Sequence, residues 1–249
     1  MELQREPSKA STDTLVHTML WNEKVIEFNM KINYVLPQLF LCIITVLNYV
    51  QSDPDPLQDY CVAETRNTHN LFHNGQPCIN PDLALASHFA TSALSKSGAT
   101  GNQFGFNVTL TNINNLPGLN TLGLVMARID IAANGLIPPH SHPRASEVTI
   151  LLKGSLLVGF VDTTNRLYTQ QLRPGDSFVF PKGLIHFLYN IDPVNVALAV
   201  SGLSSQNPGA QISSMATFVS KPPIPDEILK KGFKINSQDV MRIRRNLGG

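Results

Sequence analysis

Gly135-Leu-Ile-Pro-Pro-His140-Ser-His142-Pro-Arg-Ala-Ser-Glu147, continuing through Val148-Thr-Ile-Leu-Leu152 to Gly154, is the first of two blocks that decide how this chain folds. The second is Gly175-Asp-Ser-Phe-Val-Phe-Pro181-Lys-Gly183-Leu-Ile-His186-Phe-Leu-Tyr-Asn190. Side chains alternate faces along an extended strand, so His140 and His142 point to one side. Pro138, Pro139 and Pro143 keep that segment extended, because proline fixes φ and disfavours helix in the residue before it. Glu147 follows a short turn and opens an apolar run, which places it at a strand mouth. Pro181-Lys182-Gly183 is turn chemistry, and His186 starts the next strand. If these strands curl into a small barrel, all four side chains converge inside it. Three imidazoles and one carboxylate form a mixed donor set that suits Mn²⁺, Fe²⁺ or Zn²⁺ by ligand type alone.

Neither block is specific by itself. With seven histidines in 249 residues, about 0.2 His-x-His pairs arise by chance. A single Pro-x-Gly is an ordinary turn. Specificity comes from having the glycines, prolines and four candidate ligands all at fixed offsets.

Together the blocks resemble the two motifs of the cupin superfamily, in the form seen in plant germins and germin-like proteins. Flanking segments agree: Asp53-Pro-Asp-Pro-Leu-Gln-Asp-Tyr-Cys61, Asn120-Thr-Leu-Gly123, Ser205-Gln-Asn-Pro-Gly209 and Lys221-Pro-Pro-Ile-Pro225. The likeness runs from about Ser52 to the C-terminus. It implies an all-β fold, a cupin jelly-roll β-barrel with short C-terminal helices. It also implies manganese as the metal at His140, His142, Glu147 and His186, and a homo-oligomer built as a hexamer, a trimer of dimers.

Composition agrees with an all-β domain. Glycine and proline are frequent, helical periodicity is scarce, and short strand-like runs are separated by turns. The formal net charge is +1, and no basic stripe with interleaved aromatics suggests nucleic acid. Strands are expected over Phe104 to Thr111, Leu122 to Ala132, Ser155 to Asp162, Arg166 to Leu172, Ser177 to Phe180, His186 to Asn190 and Val194 to Gly202. The Ala- and Leu-rich stretch from Asp82 to Ser95 reads as a short helix, with His88 in a structural role. Asp226 to Lys231 and Ser237 to Arg245 read as two more helices, Ser237 serving as N-cap. Ile228, Leu229, Val240, Met241 and Ile243 form their apolar side. Such helices have little core of their own, and in germins the corresponding segment (225–249 here) clasps a neighbouring subunit.

Residues 1–29 are polar and aperiodic. From Met30 to Ser52 a lysine, an apolar run and a small residue follow in the order of a secretory signal peptide. A membrane anchor is the other reading, weakened by Pro37, Gln38, Thr45 and Asn48. The mature domain is then 53–249, and Met30 is a second candidate start. Cys42 leaves with the signal. Cys61 and Cys78 remain, an even pair in a secreted chain, and a disulfide follows; it resembles the N-terminal bridge of germins. His69 and His73 inside that loop read as solvated rather than as a second metal site. Asn107-Val-Thr109 is an N-glycosylation sequon.

The germin resemblance implies two redox activities, oxalate oxidation and superoxide dismutation. Oxalate is a dianion that needs donors beside the metal, supplied in oxalate-oxidising germins by two asparagines. The matching positions here carry Ala127 and Ile137, which donate no side-chain hydrogen bond. The expected function is therefore a secreted, apoplastic manganese superoxide dismutase, in a defence or stress role. The alternative is a wall-associated binding or storage cupin whose metal is structural.

Overall fold

The computed structural model describes residues 59–65 and 75–248, together with residue 38. The expected extension over residues 1–29, the signal peptide apart from Gln38, and His69 and His73 lie outside the described residues. The chain divides into two units, Met1–Gln51 and Ser52–Gly249.

Among its described residues the second unit has ten strands: β1 Phe106–Leu110, β2 Val125–Ile131, β3 Leu136–Ser141, β4 Glu147–Lys153, β5 Leu156–Val161, β6 Leu167–Leu172, β7 Ser177–Phe180, β8 Ile185–Asn190, β9 Ala197–Leu203 and β10 Gln211–Ile212. They form two five-stranded sheets, ordered β1-β2-β9-β4-β7 and β10-β3-β8-β5-β6. Every pairing is antiparallel. The all-β cupin fold expected from the sequence is the fold observed.

Alternation explains how the sheets close on each other. Along β4, Glu147, Thr149 and Leu151 are buried, while Val148, Ile150 and Leu152 are exposed. Along β9, Ala197, Ala199, Ser201 and Leu203 are buried. The buried sets of both sheets meet in one apolar core that includes Ile129, Ile131, Leu151, Leu156, Val158, Leu172, Phe180 and Leu188. Burying an aliphatic side chain of this size contributes about 1.5–3 kcal/mol. At one end of the barrel Asn190, fully buried, donates from Nδ2 to the carbonyls of Ala132 and Asn195 at 2.8 Å each.

Three local expectations need correction. The stretch from Asp82 to Ser95 is not one helix but two short 3₁₀ turns, Pro81–Leu83 and Ala86–Phe89. Asn80 accepts from the Asp82 amide, and His88 Nδ1 accepts from the Leu85 amide. These local bonds compete with a continuous helix. Phe89 then docks edge-on against Tyr60 and over Gly118, where a Cβ would sit 2.5 Å from its ring. His88 thus has the structural role expected of it.

At the C-terminus three helices form, not two: α1 Ser213–Phe218, α2 Asp226–Phe233 and α3 Ser237–Asn246. The sequence reading missed α1 and β10. The N-cap of α3 is Asn236, not Ser237. Its Oδ1 accepts from the Asp239 amide at 2.9 Å, and Asp239 Oδ2 accepts in return from the Asn236 amide. The helices also have a core of their own, in which Phe218, Leu229 and Val240 are buried against Ile224, Ile235, Ile243 and Leu247. Of the expected apolar side, Ile228 and Met241 remain exposed.

Candidate metal centre

His140 lies on β3 directly opposite His186 on β8, so these two rings are cross-strand neighbours in one sheet. Glu147 is the first residue of β4 in the other sheet. His142 stands one residue beyond the end of β3. The β3–β8 register shifts between Ile137 and His140, where Pro138 and Pro139 interrupt the ladder. Gly183, in the turn before β8, has φ +77° and donates its amide to the His142 carbonyl at 3.0 Å. A residue with a Cβ is strained at that φ, so the Pro-Lys-Gly turn both directs His186 inward and holds the His142 backbone.

One potential ligand atom from each of the four residues lies within 4.8 Å of all the others. His140, Glu147 and His186 are buried, and His142 is half-buried. The backbone fixes the state of each imidazole. His140 Nδ1 faces the Pro138 carbonyl at 3.0 Å, His186 Nδ1 faces the Leu184 carbonyl at 2.9 Å, and His142 Nδ1 faces the Gly209 carbonyl. A carbonyl only accepts, so each Nδ1 carries a hydrogen, and in the neutral ring it is Nε2 that presents a lone pair to the centre. Phe180 stacks on His186 at 4.5 Å between ring centroids and fixes its plane.

The remaining atoms fit a cation. Glu147 Oε2 is 3.0 Å from His142 Nε2 and 3.5 Å from His186 Nε2. Glu147 Oε2 and His186 Nε2 are nevertheless buried with no hydrogen-bond partner. Acceptors facing one another in a dry interior repel, and a divalent ion among them removes the repulsion. Electrostatics points the same way. Burial, with help from His186 and His142, lowers the His140 pKa to about 4, keeping that ring neutral. Burial pushes the Glu147 carboxyl up, but contacts with His142, His186 and Ser201 outweigh it and hold the group ionised, well below the usual carboxylate range. At His142 burial lowers the pKa, but Glu147 and the Gly209 carbonyl outweigh it and raise it above the ordinary imidazole value.

Glu147 is itself held. The Thr149 hydroxyl donates to Glu147 Oε1 at 3.0 Å, and Thr149 Oγ1 is 2.6 Å from Ser201 Oγ. Thr149 has a single hydroxyl hydrogen, given to Glu147, so Ser201 is the donor between the two. Oε1 is thereby engaged and Oε2 is left for the centre. Sequence reasoning missed Thr149 and Ser201. The available signal was a polar residue at an inward position of two otherwise apolar strands.

Beside the cluster lies a cavity of about 380 Å³, lined by His140, His142 and Glu147 and walled by apolar side chains. Ala127 and Ile137 both line it, as the reading of an altered pocket requires. Away from this centre, Cys61 and Cys78 form the expected disulfide, their Cα atoms 4.9 Å apart. Asn107 is half-buried on β1, with its side chain against the backbone of Gly98, where a Cβ would lie 2.0 Å from its Oδ1.

Comparison with known proteins agrees with this geometry. The Cupin family model matches residues 92–241. Germin-like protein subfamily 1 member 1 of Arabidopsis thaliana is 59% identical over 213 residues, covering 85% of this chain and 98% of that protein. Germin-like protein 3-1 of Oryza sativa subsp. japonica is 56% identical over 202 residues, covering 79% and 90%. A solved oxalate oxidase superposes with a TM-score of 0.74 at 39% identity, covering 78% of this chain and 97% of that one. With the fold, the four converging residues and these relatives in agreement, the chain belongs to the germin-like proteins of the cupin family.

Proposed function

We propose that this chain is a secreted manganese protein that dismutates superoxide in the plant cell wall. One observation carries the reading: Glu147 Oε2 and His186 Nε2 stand buried and unpartnered in a four-ligand cluster beside a cavity lined by Ala127 and Ile137. His140, His142, Glu147 and His186 would hold the ion. Manganese held there supplies one-electron redox chemistry. The protein's own contribution is to aim three imidazoles at the centre by anchoring each Nδ1 on a backbone carbonyl, and to hold one carboxylate ionised with Oε2 directed there. Over a full cycle two superoxide ions and two protons give one dioxygen and one hydrogen peroxide.

The oxalate oxidase likeness makes oxalate the competing substrate. Each lost polar contact to a charged substrate group costs about 1.5–3 kcal/mol. Two losses, at positions 127 and 137, come to about 3–6 kcal/mol, or two to four powers of ten in rate if expressed in the transition state. Superoxide depends on neither contact. The Cys61–Cys78 disulfide supports an oxidising compartment. Exposed Ile228, Phe233 and Met241 on α2 and α3 support subunit contacts in a hexameric trimer of dimers.

The test is metal analysis of the secreted protein, with superoxide and oxalate assays on the same sample, then on an Ala127→Asn, Ile137→Asn double variant. Superoxide turnover well above that of free manganese, with oxalate oxidation rising only in the variant, is the expected result. Strong oxalate oxidation by the unmodified protein overturns the choice of substrate. Superoxide turnover no faster than free manganese favours a binding or storage role with a structural metal.

A further inference from the structure

The cavity beside the cluster is far larger than superoxide requires. At the packing density of protein interiors, 380 Å³ holds about twenty non-hydrogen atoms. Its walls are side chains of Phe106, Val108, Leu110, Val125, Ile129 and Leu188, drawn from both sheets. Among the described residues no lysine or arginine lines it. The amides that do line it, Asn112, Gln206 and Asn207, come from the segments after β1 and after β9. All three amide oxygens are already engaged: Asn112 Oδ1 accepts from the Asn114 amide, Gln206 Oε1 from the Thr121 amide, and Asn207 Oδ1 from Arg144.

Charge selects the ligand further. A divalent ion held by three neutral imidazoles and one carboxylate carries a net charge of +1. One anionic oxygen group neutralises it. A second would stand as an unpaired charge against Ala127 and Ile137, both buried and apolar. An apolar body, in contrast, gains from these walls, as ligands do in cavities that are mostly apolar with few polar groups.

We infer that this cavity takes a small organic monocarboxylate with an apolar body, its carboxylate toward the His140, His142 and Glu147 end and its body along β1 and β2. The inference rests on the metal reading of the proposed function and extends it from an inorganic anion to an organic ligand class. Leu110, half-exposed and opposite Ala127 in the β1–β2 register, is the wall residue best placed to test it, because it lies outside the metal cluster.

The probe is 4-phenylbutanoate, titrated calorimetrically into the secreted, manganese-loaded protein. 4-Phenylbutan-1-ol has the same body without the charge, and oxalate has the charge without the body. The expected result is that phenylbutanoate binds at least about tenfold more tightly than either, and loses that advantage when the metal is chelated. Leu110→Asp places a carboxylate in the wall and weakens binding by about tenfold with manganese content unchanged, while Leu110→Met leaves it within about threefold. Oxalate binding as tightly as phenylbutanoate, equal binding by chelated protein, or indifference to Leu110→Asp each overturns the inference. Superoxide turnover without phenylbutanoate binding rejects the inference and leaves the proposed activity standing. A secreted protein that takes up no manganese rejects both.

Discussion

Replacing Thr149 with valine tests whether Glu147 is a positioned ligand or merely a buried acid. Valine keeps the branched shape and removes one hydroxyl, so the fully buried site loses no volume. What it loses is the 3.0 Å bond to Glu147 Oε1 and the partner of Ser201 Oγ. A hydrogen bond to a charged group contributes about 1.5–3 kcal/mol. Residues that orient a metal ligand change metal affinity by 10–100-fold when replaced, which is about 1.4–2.8 kcal/mol. The two estimates agree, because in this geometry they describe the same bond. Manganese affinity, measured by competition with a chelator of known strength, should fall by 10–100-fold in Thr149→Val. Thr149→Ser retains the hydroxyl and should recover most of the loss. If Thr149→Val unfolds at the wild-type temperature and binds manganese as tightly as wild type, the hydroxyl has no orienting role. If Thr149→Ser is as damaging as valine, shape rather than hydrogen bonding is what matters at that position.

A His140→Ala, His142→Ala double variant should emerge with no stoichiometric manganese by metal analysis; full occupancy would contradict the ligand assignment. Chelating the wild-type metal should lower the melting temperature, since free manganese at a hundred times its Kd stabilises the folded state by about 2.7 kcal/mol; calorimetry of matched samples reads this directly. Intact mass spectrometry of secreted protein should find a chain starting near Asp53, two cysteines joined, and glycan on Asn107; a retained N-terminus or two free thiols would contradict the processing reading. Light scattering should give a hexamer, and charging the exposed helix face with Ile228→Asp and Met241→Asp should shift it to smaller species; a wild-type monomer at micromolar concentration would refute the assembly.

The metal cluster was legible from the sequence because each device that builds it is local. Proline forces extension before His140, glycine permits the turn before His186, and strand alternation does the rest. The seven strands read from alternation all appear among the ten, with boundaries moved by a few residues. What escaped depends on partners distant in the chain. β10 is two residues long and exists through pairing with β3, where Ile212 sits opposite His140. Nothing in Gln211-Ile212 announces a strand by itself. The short helix α1 carries no side-chain cap, and its buried residue Phe218 packs on helices that begin later in the chain. The segment from Asp82 to Ser95 misled in the opposite direction. Its alanines and leucines favour helix, but Leu83 and Leu85 end up exposed and the docking of Phe89 sets its path.

The position of Glu147 ties the chemistry to the architecture. Near the Asn190 end the two sheets are joined by apolar packing and by one amide bridging three carbonyls. At the other end the inward layer is polar: Glu147, Thr149 and Ser201 from one sheet face His140 and His186 from the other. An apolar layer there would have held the sheets together by itself. The polar layer leaves two buried atoms unpaired, which opposes burial, and it gives each sheet ligands that only a shared cation can join. On the proposed reading, a metal bound at this end would do two things through the same atoms: it would create the reactive centre, and it would crosslink sheets whose inward layer there is polar and flanks a cavity.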